Sequence, residues 1–411
     1  MKKILLLSGG AYNVRAIERI RNSGLFEVLA VDRDAAAPGL AMAHRANAID
    51  ISNVEAVCDW ARAEKIDGVM PMNDSGIAAA DQISRALGLI GNGPVCARTA
   101  TDKAQMRRAW NDAGVPVPRF AAVTDWPGAQ RAAATVGFPL VMKPALTAGG
   151  GRGISVVQSA EELQWAFDFA TPHAANGVFV VEQFIDGLEL TVEYVSVAGR
   201  HTLLAVSDKV KPNLRTRVAT SLNYSAAVSE ETWLKLQLAM PRVLDTLNIR
   251  YGISHTEVIV NGDGDIYMVE TGARPGGGHI FHTLIESVSG ISAPVLNAQI
   301  LTGEQPDIPV ALRRGGVYRF LTPPRGILRG VRGLEEVRAM PGVDDVGITA
   351  NIGELVGDLP NSLKRAGFVV THGATREEAI RIADAVERAI IFDVDSVGGS
   401  DPYLKMEGFS K

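Results

Sequence analysis

The chain opens on a short apolar run, Ile4-Leu5-Leu6-Leu7, between Lys2-Lys3 and Ser8-Gly9-Gly10. Four apolar residues are too few for the hydrophobic stretch of a secretory leader and suit a buried strand ending in a glycine turn. Residues 3–8 therefore read as a strand, followed by a helix through Ile20. Residues 26–32 read as a second strand ending in Asp32, residues 54–64 as a helix, and residues 68–72 as a strand leading into Asn73-Asp74-Ser75. Strands alternating with helices predict a parallel, doubly wound sheet that holds ligands outside its strand C-termini. Residues 98–113 read as one helix, with Thr101-Asp102 before Lys103 and Gly114 closing it. Val115-Pro116-Val117-Pro118 then runs extended.

Further along, residues 139–157 follow a pattern of strand, Gly-rich loop, strand. Residues 161–170 predict a helix with Trp165, Phe167 and Phe169 in the core. Residues 178–183 form a strand and residues 188–197 an alternating one. A short strand and a polar loop fill residues 200–225, and residues 231–247 read as an amphipathic helix. Residues 254–270 predict a β-hairpin around Asn261-Gly262-Asp263-Gly264-Asp265. Residues 285–301 are mostly helical and residues 305–309 look like a junction. The last hundred residues read as α+β, ending in a helix over 376–390.

The length, 411 residues, suits two or three domains. Hydrophobic residues make up 46% and charged residues 21%, which excludes a disordered or collagen-like chain. Net charge is −5 and no long basic block occurs, so neither nucleic acid nor an anionic membrane is expected as a partner. A small anionic ligand needs only a local basic site. Cys58 and Cys96 form no CxxC or Cys/His cluster, which argues against a disulfide framework and a zinc site. No run reaches the roughly 18 apolar residues of a membrane span. A cytoplasmic protein is the expectation.

Three stretches carry chemistry. The first is Phe138-Pro139-Leu140-Val141-Met142-Lys143-Pro144, followed by Thr147-Ala148-Gly149-Gly150-Gly151-Arg152-Gly153. Glycines let backbone N–H groups approach phosphate oxygens, and the lysine adds a point charge. An ordinary mobile hairpin with an exposed lysine fits the same residues. The second is the acid pair of the hairpin. A four-residue loop at 262–265 places Glu257 directly opposite Glu270, where like charges destabilise a sheet unless a cation lies between them. Oxygen ligands near phosphate favour Mg²⁺. An odd loop length would instead send the acids to opposite faces. The third is Thr271-Gly272-Ala273-Arg274-Pro275-Gly276-Gly277-Gly278-His279. Its arginine can face charge developing on a carboxyl or phosphoryl group, or can be a surface residue of a Gly/Pro turn.

In order and spacing, Lys103, Lys143 with its Gly-rich loop, Glu182-Gln183-Phe184-Ile185, Glu189, Glu257, Glu270 and Arg274 resemble the ATP-grasp superfamily. The resemblance is greatest to the carboxylate–amine ligase branch that includes L-amino acid ligases. His255-Thr256-Glu257 and the run from Glu270 to Gly278 look like that branch's signatures, and Tyr318-Arg319-Phe320 and Arg365-Ala366-Gly367 resemble its small C-terminal lobe. The resemblance implies an α/β, ATP-grasp fold with an N-terminal Rossmann-like domain over 1–97. An ATP-grasp domain would span 98–306, with a lid subdomain over about 119–185, and an α+β lobe 307–411.

It also implies roles. Lys103 and Lys143 would hold the phosphates of ATP under a lid at 147–153 that contains Gly149, Gly150 and Gly151. Gln183 and Ile185 would meet adenine, with Glu182 beside them, and Glu189 would hold the ribose. Glu257 and Glu270 would bind Mg²⁺, and Arg274 would stabilise an acyl phosphate. Lys209, His255 and His279 are further candidates for substrate contact, or are structural. Many relatives read Glu-x-Asn after the second metal acid, where this chain has Glu270-Thr271-Gly272. That departure bears on the number of metal ions. The implied partners are a small carboxylate and an amine, with a homodimer as the family-like assembly.

Rival readings are a purine-pathway ATP-grasp carboxylase or formyl-activating enzyme, a nucleotide sensor without catalysis, and an NAD-dependent oxidoreductase. Gly9-Gly10 and Asp32 invite the last, but Ser8-Gly9-Gly10-Ala11-Tyr12-Asn13 lacks the GxGxxG spacing.

Overall fold

A computed structural model describes residues 1–146, 151–212 and 218–397. The chain divides into two compact units, each assembled from three segments. The first comprises Met1–Val117, Leu190–Val206 and Val228–Arg313, and the second Pro118–Glu189, Ser207–Ala227 and Arg314–Lys411.

The first unit starts with the parallel sheet that the apolar pattern predicts. Lys2–Leu7 lies between Phe26–Asp32 and Gly68–Pro71, with Ile4 paired to both Val28 and Gly68. Leu5, Leu7, Leu29 and Val31 meet Val57, Ala61 and Ile83 of the flanking helices in one core. A fourth strand, Arg45–Ala48, pairs on the outer edge of Phe26–Asp32. Its residues are mostly exposed, so it leaves no apolar pattern in the sequence. The Asn73 side chain accepts from Gly76 N–H and starts the helix Asp74–Leu87, which Gly88 closes in a left-handed conformation.

Residues 98–113 are not one helix. Gly93–Thr99 and Lys103–Asp112 are separate, because the Asp102 carboxylate accepts from the N–H groups of Ala104 and Gln105 and begins a new helix. Lys103 is the first residue of that second helix.

The hairpin forms from Gly252–Val260 and Ile266–Gly272, and its segment between strands, 261–265, is five residues long, not four. The ladder pairs Val260 with Ile266 and Val258 with Met268, then shifts at a β-bulge, after which Glu257 faces Glu270 and His255 faces Gly272. The extra residue in the bulge, Val269, restores the facing that an odd turn removes. Leu188–Val197 is the next strand of the sheet beyond Gly252–Val260. Its polar positions are buried together with its apolar ones, Glu193 and Thr191 completely.

The second unit contains an antiparallel sheet in the order Phe120–Val123, Phe179–Gln183, Leu140–Pro144, Ser155–Val157. Helices Trp126–Val136 and Leu163–Ala170 pack on it. Trp165, Phe167 and Phe169 are only half-buried, and the core positions of that helix are Leu163, Ala166 and Ala170. Aromatics two apart cannot share a helix face, whereas positions at i, i+3 and i+7 do. Trp165 stacks on Phe169 at 5.3 Å instead. The tail is α+β: Gly315–Leu321, Gly367–Gly373 and Val343–Ile348 pair antiparallel, with the helix Arg376–Ala389 against them. Among the described residues no single helix is long and apolar enough to cross a membrane.

Candidate active site

The first unit gathers most of its charged candidates around the hairpin. Glu257 and Glu270 are directly opposed, and strand alternation puts His255 and Gly272 on the same face. Lys103 Nζ lies 3.2 Å from Glu270 Oε1. Burial works against the lysine's charge, but Glu270, Asp74 and Glu257 outweigh it and hold its pKa above the ordinary value. His255 Nδ1 is 2.5 Å from the fully buried Glu193, and its Nε2 is 3.7 Å from Glu257. Burial opposes protonation here too, yet chiefly Glu193 pushes the imidazole up to about 9. No motif in the sequence singles out Glu193. Its only signal was an acid at an alternating position of a strand, on the same face as Glu189.

Arg274 donates from Nε to Asp74 Oδ1 at 2.7 Å and from Nη2 to Asp74 Oδ2 at 3.1 Å, with Nη1 donating to Pro275 O. Burial disfavours both charges. Arg274 holds the Asp74 carboxyl below its usual range, and Asp74 raises the guanidinium. His279 stands apart. It packs edge-on against His282 at 4.7 Å, and burial, with Arg15 nearby, pushes it down to about 3, so it is neutral.

In the second unit Lys143, next to last in the strand Leu140–Pro144, is buried and donates to Glu182 at 2.5 Å. Gln183 accepts from Arg119 through its side chain, and Ile185 is buried. Lys209 and Lys211 both donate to the buried Glu189, at 2.9 and 2.5 Å. Gly151 takes a left-handed φ of 72° with open space where a Cβ would stand. Gly149 and Gly150, with Thr147 and Ala148, lie outside the described residues.

The donors in the first unit suit a hard cation. Two opposed carboxylates supply only oxygen ligands, and among the described residues no group of three or more His, Cys, Asp or Glu forms a closed cage. Mg²⁺ is commonly held by one or two carboxylates and completes its shell with water and substrate phosphate. Asp32, the acid that suggests a dinucleotide, is already engaged. It accepts from Gly9 N–H at 2.8 Å and from the Ser8 hydroxyl at 3.3 Å, which fixes the turn.

Residues 136–283 match the ATP-grasp domain family. The chain carries an ATP-grasp domain. Residues 319–395 match L-amino acid ligase C-terminal domain 2. The ATP-grasp fold extends over nearly the whole chain. An L-amino acid ligase from Bacillus licheniformis superposes with a TM-score of 0.83 at 22% identity, covering 96% of this chain and 99% of that one. A formate-dependent phosphoribosylglycinamide formyltransferase from Burkholderia lata is 28% identical over 93% of this chain and 95% of its own length. An uncharacterized protein, y4rH, from Sinorhizobium fredii is 26% identical over 95% of this chain and 82% of its own.

Proposed function

We propose that this ATP-grasp protein is an ADP-forming carboxylate–amine ligase that joins amino-acid substrates. The observation that carries the reading is the match of residues 319–395 to the L-amino acid ligase C-terminal domain, behind an ATP-grasp domain that keeps the opposed acids and Arg274. In the reaction, a carboxylate oxygen bonds to the γ-phosphorus of ATP and the bond to the β-phosphate oxygen breaks, releasing ADP. The amine nitrogen then bonds to the acyl carbon, phosphate leaves, and the amine gives up its proton.

The residues divide the work. Lys103 and Lys143 hold the phosphates as point charges, Gln183 and Ile185 meet the base, Glu182 sits beside them, and Glu189 holds the ribose. Gly149, Gly150 and Gly151 are assigned to phosphate contact through their backbone N–H groups. Glu257 and Glu270 hold Mg²⁺, which neutralises phosphate charge. Arg274 has five N–H donors, of which three are used among the described residues; the remaining two can meet oxygens of the transferring group. His255 is assigned to fixing Glu257, and Lys209 to fixing Glu189.

A second reading is a formyl-activating enzyme acting on a phosphorylated amine, favoured by the 28% identity to the Burkholderia formyltransferase over 93% of this chain. One assay separates the two. Phosphate release from Mg-ATP is followed over pairs of amino acids, and over formate with phosphoribosylglycinamide, with nucleotide products resolved by chromatography. Release of ADP with amino-acid pairs is expected. AMP as the product rejects both mechanisms, and turnover with formate alone replaces the first reading by the second. Arg274→Lys keeps the charge but loses the planar fork, and is expected to lower kcat by about 10²–10³ with little change in the KM for ATP.

A further inference from the structure

Asp74 belongs to the first residues of the helix Asp74–Leu87, far along the chain from Arg274, yet their side chains meet in a two-pronged contact. Three observations make that contact more than a surface ion pair. The first is its seat. Asn73 caps the helix through Gly76 N–H, so the backbone under Asp74 is fixed, and the helix N-terminus favours a carboxylate. Asp74 and Arg274 side chains are only 25% and 16% exposed.

The second is space. A Cβ at position 272 would lie 3.1 Å from Arg274 Nε and 3.2 Å from Asp74 Oδ1. Gly272 is not among the glycines with left-handed φ, so its backbone would accept another residue. Any side chain at 272 would therefore press on both members of the pair, which would have to shift by a few tenths of an ångström.

The third is competition. Glu270 and Glu193 also attract the Arg274 guanidinium. Without Asp74 the guanidinium would turn toward them, and toward Glu270 in particular it would occupy an acid assigned to the metal. With Asp74 present, one side of the fork is tied and two N–H groups are left for substrate.

We propose that Asp74 is the positioning residue for Arg274, and that position 272 is glycine so that this pair can form. The catalytic half of the proposal rests on the ligase reading above.

The test is a double-mutant cycle. Asp74→Asn and Gly272→Asn are each made in the wild-type chain and in Arg274→Ala, and kcat and the KM for ATP are measured for all forms. In the wild-type background each change is expected to lower kcat by about 10²-fold, the usual loss for a group misplaced by about 1 Å, with the KM for ATP within about twofold. In Arg274→Ala neither should lower kcat by more than about threefold, and Asp74→Glu should recover part of the loss. Equal losses in both backgrounds would mean that Asp74 only supports the fold, and overturn the proposal. A second readout needs no turnover. The Arg274 Nε–H should give a slowly exchanging NMR signal that is lost in Asp74→Asn and Gly272→Asn. An unchanged signal overturns the pair itself. If the wild-type chain releases no ADP, the ligase reading and the catalytic half fall together, while the Nε–H signal still decides the holding half.

Discussion

The two units balance charge in opposite ways. Around the hairpin of the first unit, Asp74, Glu193, Glu257 and Glu270 outnumber Lys103, Arg274 and a protonated His255. In the second unit the described pairs centre on lysines: Lys143 meets Glu182, and Lys209 and Lys211 both meet Glu189. An acid-rich buried centre is relieved by a cation, and a lysine-rich one by an anion. The donors differ in kind as well. Arg274 is fixed by a fork, whereas lysines are mobile point charges that can exchange a carboxylate for a phosphate. The proposed ligands follow these signs: the opposed acids Glu257 and Glu270 are assigned to a cation, and Lys103 and Lys143 to phosphate.

Removing one partner of a buried pair should break the contrast most. Lys143→Met leaves Glu182 buried without its lysine and is expected to destabilise the protein by about 3–5 kcal/mol in urea unfolding. Adding Glu182→Gln should restore most of that stability but not ATP binding, as measured by calorimetry. A single variant as stable as wild type would mean that the pair is solvated and that the second unit carries no charge imbalance.

A smaller effect separates the two kinds of acid. Glu270→Gln should raise the Mg²⁺ concentration for half-maximal phosphate release by about 10–100-fold, the range seen when groups supporting a metal are lost. Glu189→Gln, the same chemical change in the lysine-rich unit, should leave the Mg²⁺ requirement within about twofold while raising the KM for ATP. Equal shifts in Mg²⁺ requirement would erase the distinction between the units.

Two histidines sharpen the contrast within the first unit, with at most about 1.4 kcal/mol per pH unit at stake for each. His255 among the acids has a folded pKa near 9, above its unfolded value, so its contribution is complete below about pH 6.5 and is lost as pH rises through 9. His279, away from the acids, has a folded pKa near 3, so its contribution is complete above about pH 6.5 and is lost as pH falls toward 3. Unfolding free energies measured against pH should therefore flatten on the alkaline side in His255→Gln and on the acid side in His279→Gln. Flattening on the same side for both would contradict the separation of the two environments.

The sequence made periodic elements legible and left their exceptions hidden. The buried strand Lys2–Leu7 and the helix Val54–Glu64 follow from apolar spacing alone. Arg45–Ala48 does not, because an exposed edge strand needs no apolar face. The break before Lys103 was present as Thr101-Asp102, but a capping carboxylate shows itself only once its N–H partners are known. For the site, residue types and order were enough to single out Lys103, Glu257, Glu270 and Arg274. Asp74 stood in the sequence only as part of the run after a strand, and its contact with Arg274 joins residues 200 positions apart that no local pattern connects. Glu193 was hidden for the same reason, since a buried acid is explained only by the histidine on the next strand.

The bulge at Val269 has a consequence for what lies beyond it. The facing of Glu257 and Glu270 is set by the ladder on their own side of the bulge, where Thr256 pairs with Thr271 and His255 with Gly272. The turn at 261–265 is therefore released from keeping count. Its tip is open: Gly262 and Asp263 are exposed, and nothing lies within 4 Å of a Cβ at Gly262. Residues inserted there add length on the far side of the bulge and leave the two acids in step. The hairpin thus carries a natural attachment point, where a fluorophore or a short tag can report on Glu257 and Glu270 without touching them.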